Sequence, residues 1–356
     1  MKPLQIRKFA AGSKHTEDED LERISRLWGD VHRVLGPSDD NPFHVCAYLG
    51  QGTVGAVEEV TIPKESPKSF VRKKIYLRRA ERKEKLKLIQ QEVDILKSLT
   101  HVHIVRCLGT YEDATQIKRP PIYCLLMSPV GNGDLKAFLD DTPEEPIDDR
   151  IIRSGWLQQW FFCLSSALQY MHNQGVRHQD IKPSNIIYRG GSIYLTDFSS
   201  SSRFVVGQAT STESPFRTTA MYAAPEVTAK YLEDGTFEKH GRGSDIFALG
   251  CVFCEMLTVL AGRSVPSLHE YLVRAGAEDE VNNRSLLYSR KLTTVDQWFQ
   301  KLDADGLPFV RVYSNCIKPM MTEDRVLRCD AATTKRNFKS PEDFWESAVE
   351  CSCYEQ

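Results

Sequence analysis

The stretch Leu49-Gly50-Gln51-Gly52-Thr53-Val54-Gly55-Ala56-Val57 sets the tightest limit on what this chain can fold into. Its GxGxxG spacing lets a backbone approach a phosphate closely and turn without a Cβ penalty. In a dinucleotide-binding βαβ unit the same spacing must run from a strand into a helix. Here it runs into Ala56-Val57-Glu58-Glu59-Val60-Thr61-Ile62, which is strand-like, and then meets Pro63 and Pro67. That order fits a glycine-rich hairpin lying over phosphates and argues against a doubly wound turn. Glycine-rich turns are also common as plain turns, so the rest of the chain has to decide.

From Phe43 to Ile75 the sequence has the texture of short β-type runs punctuated by glycine, and residues 76–99 carry a helical pattern. Beyond Asp134 helical segments dominate, with a strand-like patch at Ile186–Thr196. Ahead of the β-rich part, residues 16–35 read as one amphipathic helix: Leu21, Ile24, Leu27, Trp28, Val31, Val34 and Leu35 recur at three- and four-residue steps. Thr16 and Glu19 have capping-box spacing, and Gly36-Pro37 is the expected stop. This helix is expected to pack on the main domain rather than to await a partner. Residues 199–219 read as a mobile loop, Tyr231–Arg242 as a short insertion, and the last twenty or so residues as a loosely held tail.

Composition excludes several classes. At 356 residues, with 41% hydrophobic and 26% charged, the chain is of ordinary globular type. Its longest strongly apolar stretches, Ile246–Cys254 and Trp160–Cys163, fall short of the ~20 residues a membrane span needs. No secretory signal is read in the first residues, so a cytoplasmic or nuclear location is the expectation. Nine of the sixteen residues from Arg72 to Lys87 are Lys or Arg. With Glu81 and Glu84 interspersed and a formal net charge of −2, a solvated helix face outweighs a nucleic-acid patch. The ten cysteines lie mostly in apolar segments, as reduced thiols do. Cys251 and Cys254 have CxxC spacing, but no second pair or neighbouring histidines completes a zinc set, so they are expected to share one helix face.

Downstream stand His178-Gln179-Asp180-Ile181-Lys182-Pro183-Ser184-Asn185, then Asp197-Phe198-Ser199, Ala224-Pro225-Glu226 and Ser244-Asp245-Ile246-Phe247-Ala248-Leu249-Gly250. In this order, and with the glycine-rich loop before them, these segments resemble the signature of the eukaryotic protein kinase family, serine/threonine type. The resemblance covers roughly residues 43–333. The wording of the hinge and of His178–Pro183 is similar to kinases of filamentous fungi. It implies an α+β, two-lobed protein kinase fold, with a small β-rich N-lobe carrying one main helix and a larger, mostly helical C-lobe. The expected divisions are 1–42 for an N-terminal extension, 43–130 for N-lobe and hinge, 131–333 for the C-lobe and 334–356 for the tail.

The resemblance also implies roles. ATP and Mg²⁺ are the expected cofactors, and proteins with serine or threonine acceptors the expected partners, with no nucleic acid and no membrane span. Gly50, Gly52, Gly55 and Val57 would cover the nucleotide. Lys73 would grip its α- and β-phosphates, with Lys74 as rival, and Glu92 would pair with that lysine in preference to Asp94. Strand alternation puts Val71 and Lys73 on one face and Lys74 on the other. In the hinge, Met127 would be the gatekeeper, the Ser128 carbonyl an acceptor and the Val130 N–H a donor to adenine; Pro129, which has no N–H, falls between the two contact positions. Asp134 would meet the ribose, or serve as a helix-start acid. Asp180 would take or orient the proton of the attacking hydroxyl, Lys182 would reach the γ-phosphate, and Asn185 and Asp197 would ligate Mg²⁺.

Some positions depart from the family pattern. Gln179 replaces the usual arginine, so activity is expected to depend less on phosphate in the activation segment. Ser199 replaces a glycine, and a serine there resists positive φ. Thr219 is expected beside Asp180 and Lys182, and Arg328 is expected to pair with Glu226. The alternative to an active serine/threonine kinase is a pseudokinase used as a scaffold or allosteric partner.

Overall fold

Alternating apolar residues in the first third of the chain build a sheet, and the long apolar helices beyond it build a separate core. The computed structural model describes residues 14–29, 31–52, 55–64, 66–77, 79–117, 119–204, 219–228, 241–275, 286–304, 309–339 and 351–355. The described chain forms two compact units. One takes residues up to Leu88 together with Arg106–Val130; the other takes Ile89–Val105 and the residues from Gly131 onward. The fold is the two-lobed α+β kinase fold.

In the first unit, helix α1 (Lys14–Trp28) leads into β1 (Arg33–Leu35), β2 (His44–Gly52), β3 (Gly55–Ile62) and β4 (Ser66–Tyr76). The start of helix α2 (Arg82–Lys97), whose residues from Ile89 on belong to the second unit, then β5 (Arg106–Asp113) and β6 (Ile122–Ser128) follow. The six strands lie in the order β1-β5-β6-β4-β3-β2, with β1 parallel to β5 and the other pairs antiparallel. Val60, Phe70, Cys124 and Leu126 face one side of this sheet, where Ile24 and Trp28 of α1 bury with Phe43, Leu108 and Tyr111. Trp28 lies 4.9 Å from the Phe43 ring and 5.4 Å from that of Tyr111.

The expected helix over 16–35 is thus two elements. It stops at Trp28, where the Gly29 N–H bonds the Ser25 carbonyl, and the chain re-enters as β1. Val31 and Val34 are exposed rather than on an apolar helix face. An open edge of β5 offered backbone hydrogen bonds, and β-branched residues suit a strand there. Thr16 falls inside the helix, among side chains outside those described, so it is not an N-cap.

The second unit contains β7 (Gly133–Asp134), α3 (Leu135–Asp141), α4 (Ile147–Asn173), β8 (Val176–Arg177), β9 (Ile186–Arg189), β10 (Ser192–Leu195) and β11 (Ser202–Arg203). The helices α5 (Pro225–Thr228), α6 (Arg242–Leu260), α7 (Val265–Arg274), α8 (Leu292–Ala304), α9 (Phe309–Val312) and α10 (Ala331–Asn337) complete it. Trp160, Phe161, Phe162, Leu164 and Leu168 of α4 are buried, as are Ile246–Val259 of α6. Helix α6 is long and apolar enough to cross a membrane, yet 83% of its apolar window is buried inside this unit, as befits a core helix. Cys251 and Cys254 are buried, free thiols on it. Of the region expected to be a loose tail, described residues at both ends are built in: Thr334 is fully buried, Phe338 packs on the Phe161 and Phe253 rings, and Cys353 is fully buried; residues 340–350 lie outside the described residues.

Candidate active site

The glycine-rich loop is the end of the β2–β3 hairpin, with Gly52 opposite Gly55; Thr53 and Val54 lie outside the described residues. A strand therefore follows the glycines. Gly55 is required by a close approach: a Cβ there would stand 1.6 Å from the Lys74 carbonyl oxygen on β4. On β4, alternate residues divide between the faces of the sheet. Glu58 Oε2 accepts from Arg72 at 2.6 Å and Glu58 Oε1 from Lys74 Nζ at 2.8 Å, and Arg72 Nη1 also donates to the Tyr111 hydroxyl at 3.0 Å. Burial opposes the charge on Glu58, but the bonds from Lys74 and Arg72 hold its carboxyl below the usual range. Lys74 is thereby committed to the α1 side. Lys73 pairs with Val57 and Leu125 across the strands, and Val71 with Met127, so Val57, Lys73 and Met127 share the opposite face. Arg82 pairs with Glu112 and Lys85 with Glu81, so much of the basic run is matched by acids.

Ser128 ends β6, buried like Met127, and Val130 is half-buried just beyond Pro129. In the second unit, Asp134 caps α3, its carboxylate accepting from the Ala137 N–H at 2.8 Å. Glu92 is buried on the part of α2 that belongs to this unit.

The segment 178–185 is held from below by one buried carboxylate. Asp245, at the start of α6, accepts from the His178 N–H at 2.9 Å, the Gln179 N–H at 2.8 Å and His172 Nε2 at 3.0 Å. Its complete burial pushes the carboxyl up, but the hydrogen bond from His172, the electrostatic effect of the neighbouring His172 and His178 rings and the Gln179 N–H together hold it below its ordinary value. The sequence placed Asp245 within a motif but gave it no task; a buried acid at the start of an apolar helix was the available signal. Gln179 sits at φ 67° and Asp197 at φ 60°, both in the left-handed region. Ser199 does not carry positive φ: it lies in a 3₁₀ turn, Phe198–Ser200, and the strained backbone falls at Asp197 instead.

The His178 ring ties this segment to Thr196, just ahead of Asp197. Its Nε2 donates to the Thr196 carbonyl at 3.0 Å, and its Nδ1 accepts from the Asp180 N–H at 3.3 Å. Around Asp180 three side chains converge. Oδ2 accepts from Lys182 Nζ at 2.7 Å and Asn185 Nδ2 at 2.9 Å; Oδ1 accepts from the Thr219 N–H at 3.0 Å and its hydroxyl at 2.9 Å. Lys182 Nζ also reaches Thr219 Oγ1 at 2.7 Å, as expected for that threonine. Asn185 Nδ2 makes a second bond to the Asp180 carbonyl, which fixes the amide's orientation and makes Oδ1 its outward acceptor. The expected Arg328–Glu226 pair is present and bidentate, at 2.7 and 2.9 Å. Of the loop expected over 199–219, residues 205–218 lie outside the described residues, and of the insertion expected over Tyr231–Arg242, residues 231–240 do, while Arg242 begins α6.

Comparison with known proteins agrees with this arrangement. A family model described as the protein kinase domain matches residues 43–271. The chain is 32% identical over 236 residues to the serine/threonine-protein kinase cds1 of Schizosaccharomyces pombe, covering 64% of this chain and 47% of that protein. It is 34% identical over 255 residues to mitogen-activated protein kinase kinase kinase 19 of Mus musculus, covering 69% of this chain and 17% of that one. Over 171 residues it is 32% identical to mitogen-activated protein kinase kinase kinase 3 of Arabidopsis thaliana, covering 48% of this chain and 23% of that one. The matched regions thus span less than half the length of these relatives. With the carboxylate-centred loop, the glycine hairpin and the family match all falling in one stretch of sequence, the chain belongs to the eukaryotic protein kinase family, of the serine/threonine type.

Proposed function

We propose that this chain transfers the γ-phosphoryl group of ATP to serine or threonine hydroxyls of other proteins. The observation that carries the reading is the Asp180 carboxylate, gathered with Lys182, Asn185 and Thr219 into one hydrogen-bonded set. Phosphoryl transfer asks for positioning and charge neutralisation more than covalent chemistry. Asp180 orients the acceptor hydroxyl and takes its proton, while Lys182 stabilises negative charge developing on the transferred phosphoryl group. Thr219, bound to both, holds them in register for an aliphatic hydroxyl.

For ATP, the first unit offers Val57, Lys73 and Met127 on one sheet face, and the backbone of Ser128 and Val130. At Gly50, among the described residues and apart from its chain neighbours, no atom lies within 4 Å of where a Cβ would stand, which suits a loop that covers phosphates together with Gly52 and Gly55. The second unit offers Asp134 for the ribose and the buried carboxylate of Glu92. For Mg²⁺, the donors suit a hard cation: Asn185 Oδ1 and the Asp197 carboxylate are oxygens, few in number, as an ion that keeps phosphate and water ligands requires. Bound there, Mg²⁺ neutralises phosphate charge.

The test is labelled-phosphate transfer from Mg·ATP to a generic protein substrate. Asp180→Ala and Asp197→Ala are each expected to lower the rate by about 10²–10⁴-fold while leaving the fold intact. Nucleotide binding by the wild-type chain with no transfer would instead mark a scaffold and end the proposal.

A further inference from the structure

Away from the phosphoryl-transfer residues, four soft donor atoms meet inside the second unit. His103 Nε2 and the Sγ atoms of Cys163, Cys351 and Cys353 all lie within 4.8 Å of one another, three of these residues being buried. They come from separate segments: the turn before β5, the middle of α4, and a Cys-x-Cys pair at the C-terminal end of the described chain. Cys353 Sγ is 3.7 Å from Cys163 Sγ, and His103 Nε2 is 3.1 Å from Cys351 Sγ. Zn–S bonds of about 2.3 Å and a Zn–N bond of about 2.0 Å impose edges of roughly 3.5–3.8 Å on a tetrahedron. The cluster therefore needs only small side-chain shifts to close on one ion.

The histidine is set up as a ligand. Its Nδ1 is 2.8 Å from the Ile193 carbonyl, which can only accept, so Nδ1 carries the proton and Nε2 presents its lone pair to the three sulfurs. A ligating imidazole anchored through its other nitrogen by a carbonyl is the arrangement metal sites use to fix ring orientation. All four cysteine and histidine side chains could instead be small core residues, since free cysteine is often buried. That reading does not account for a chain end that returns to place two thiols against a third thiol and an oriented imidazole.

We propose that His103, Cys163, Cys351 and Cys353 form a structural Zn²⁺ site that clasps the C-terminal segment to α4 and to the turn before β5. On binding, each of the three thiols gives its proton to solvent and forms a Zn–S bond, and His103 gives its Nε2 lone pair; no electron is transferred. The resulting Zn(Cys)₃(His) unit would carry one net negative charge. The four ligands complete the site, which closes it to substrate and gives it a structural rather than a catalytic character.

The full chain, purified under reducing conditions, is expected to contain one zinc per molecule by elemental analysis. Cobalt added to the metal-stripped protein should give the thiolate charge-transfer and tetrahedral ligand-field bands of a Cys₃His centre. Both signals should disappear in the Cys351→Ser/Cys353→Ser variant, whose circular dichroism should remain that of the wild type. A zinc chelator should make Cys351 react many-fold faster with an alkylating agent. Three results would each overturn the site: neither zinc nor a cobalt spectrum in the wild-type chain; zinc content unchanged by the double substitution; or a Cys163–Cys353 disulfide as the resting form in peptide maps.

Discussion

Arg328 shows how much of this structure hangs on single charged groups out of water. Its guanidinium meets both oxygens of Glu226, donates to the Gly243 carbonyl at 2.8 Å, and through Nε to the Thr322 carbonyl at 3.0 Å. It thereby ties α5 to the start of α6 and to the turn that carries Thr322. Arg328→Met would leave a buried carboxylate with no counter-charge, and that desolvation penalty dominates over the lost Coulomb attraction. The expected cost is about 3–5 kcal/mol in denaturant unfolding, with Arg328→Met/Glu226→Gln recovering part of it. A loss under 1 kcal/mol for the single change would show the pair to be dispensable. The Arg72–Glu58–Lys74 group has the same logic on the first unit's sheet, where the arginine is the buried member.

Helix α1 is the element whose contribution is most exposed to test. Glu19, Glu22, Arg23 and Arg26 are exposed while Ile24 and Trp28 bury against the sheet. The contact is close enough to dictate a glycine on the strand beneath: a Cβ at Gly109 would stand 2.1 Å from the Trp28 carbonyl oxygen. Trp28→Ala removes a buried indole packed between Phe43 and Tyr111, for an expected loss of about 3–5 kcal/mol. Because α1 packs in the first unit, hydrogen exchange should rise in β4–β6 and stay unchanged in α4 and α6. Uniform exchange across both units would contradict that assignment.

Over the whole molecule, acid should act through Asp245. Its folded-state carboxyl is held below its ordinary value of 3.8, so its stabilising contribution is present above that value and is lost as the pH falls through the lower folded value. Asp245→Asn is expected to cost about 2 kcal/mol near neutrality, because two backbone N–H groups and His172 lose a charged acceptor. Below about pH 4 its denaturation midpoint should fall less steeply than that of the wild type. Parallel curves for the two proteins would remove Asp245 from the acid response.

Local chemistry made the fold class and the grouping of Lys182 and Thr219 with Asp180 readable from the chain. A glycine turn followed by a strand, and an acid, a lysine and an amide at two- and three-residue spacing, keep their meaning wherever they stand. Lys73 and Lys74 were separable in principle by strand alternation, but the partner that holds Lys74, Glu58, became visible only through cross-strand register. The split of residues 16–35 into helix and strand escaped periodicity because a free sheet edge, not the segment's own pattern, chose the conformation of 33–35. The task of Asp245 and the meeting of His103 with Cys163, Cys351 and Cys353 were out of reach for the same reason. Their partners lie about sixty to two hundred and fifty residues apart, and only the packing of α4, α6 and the chain end brings them within bonding distance.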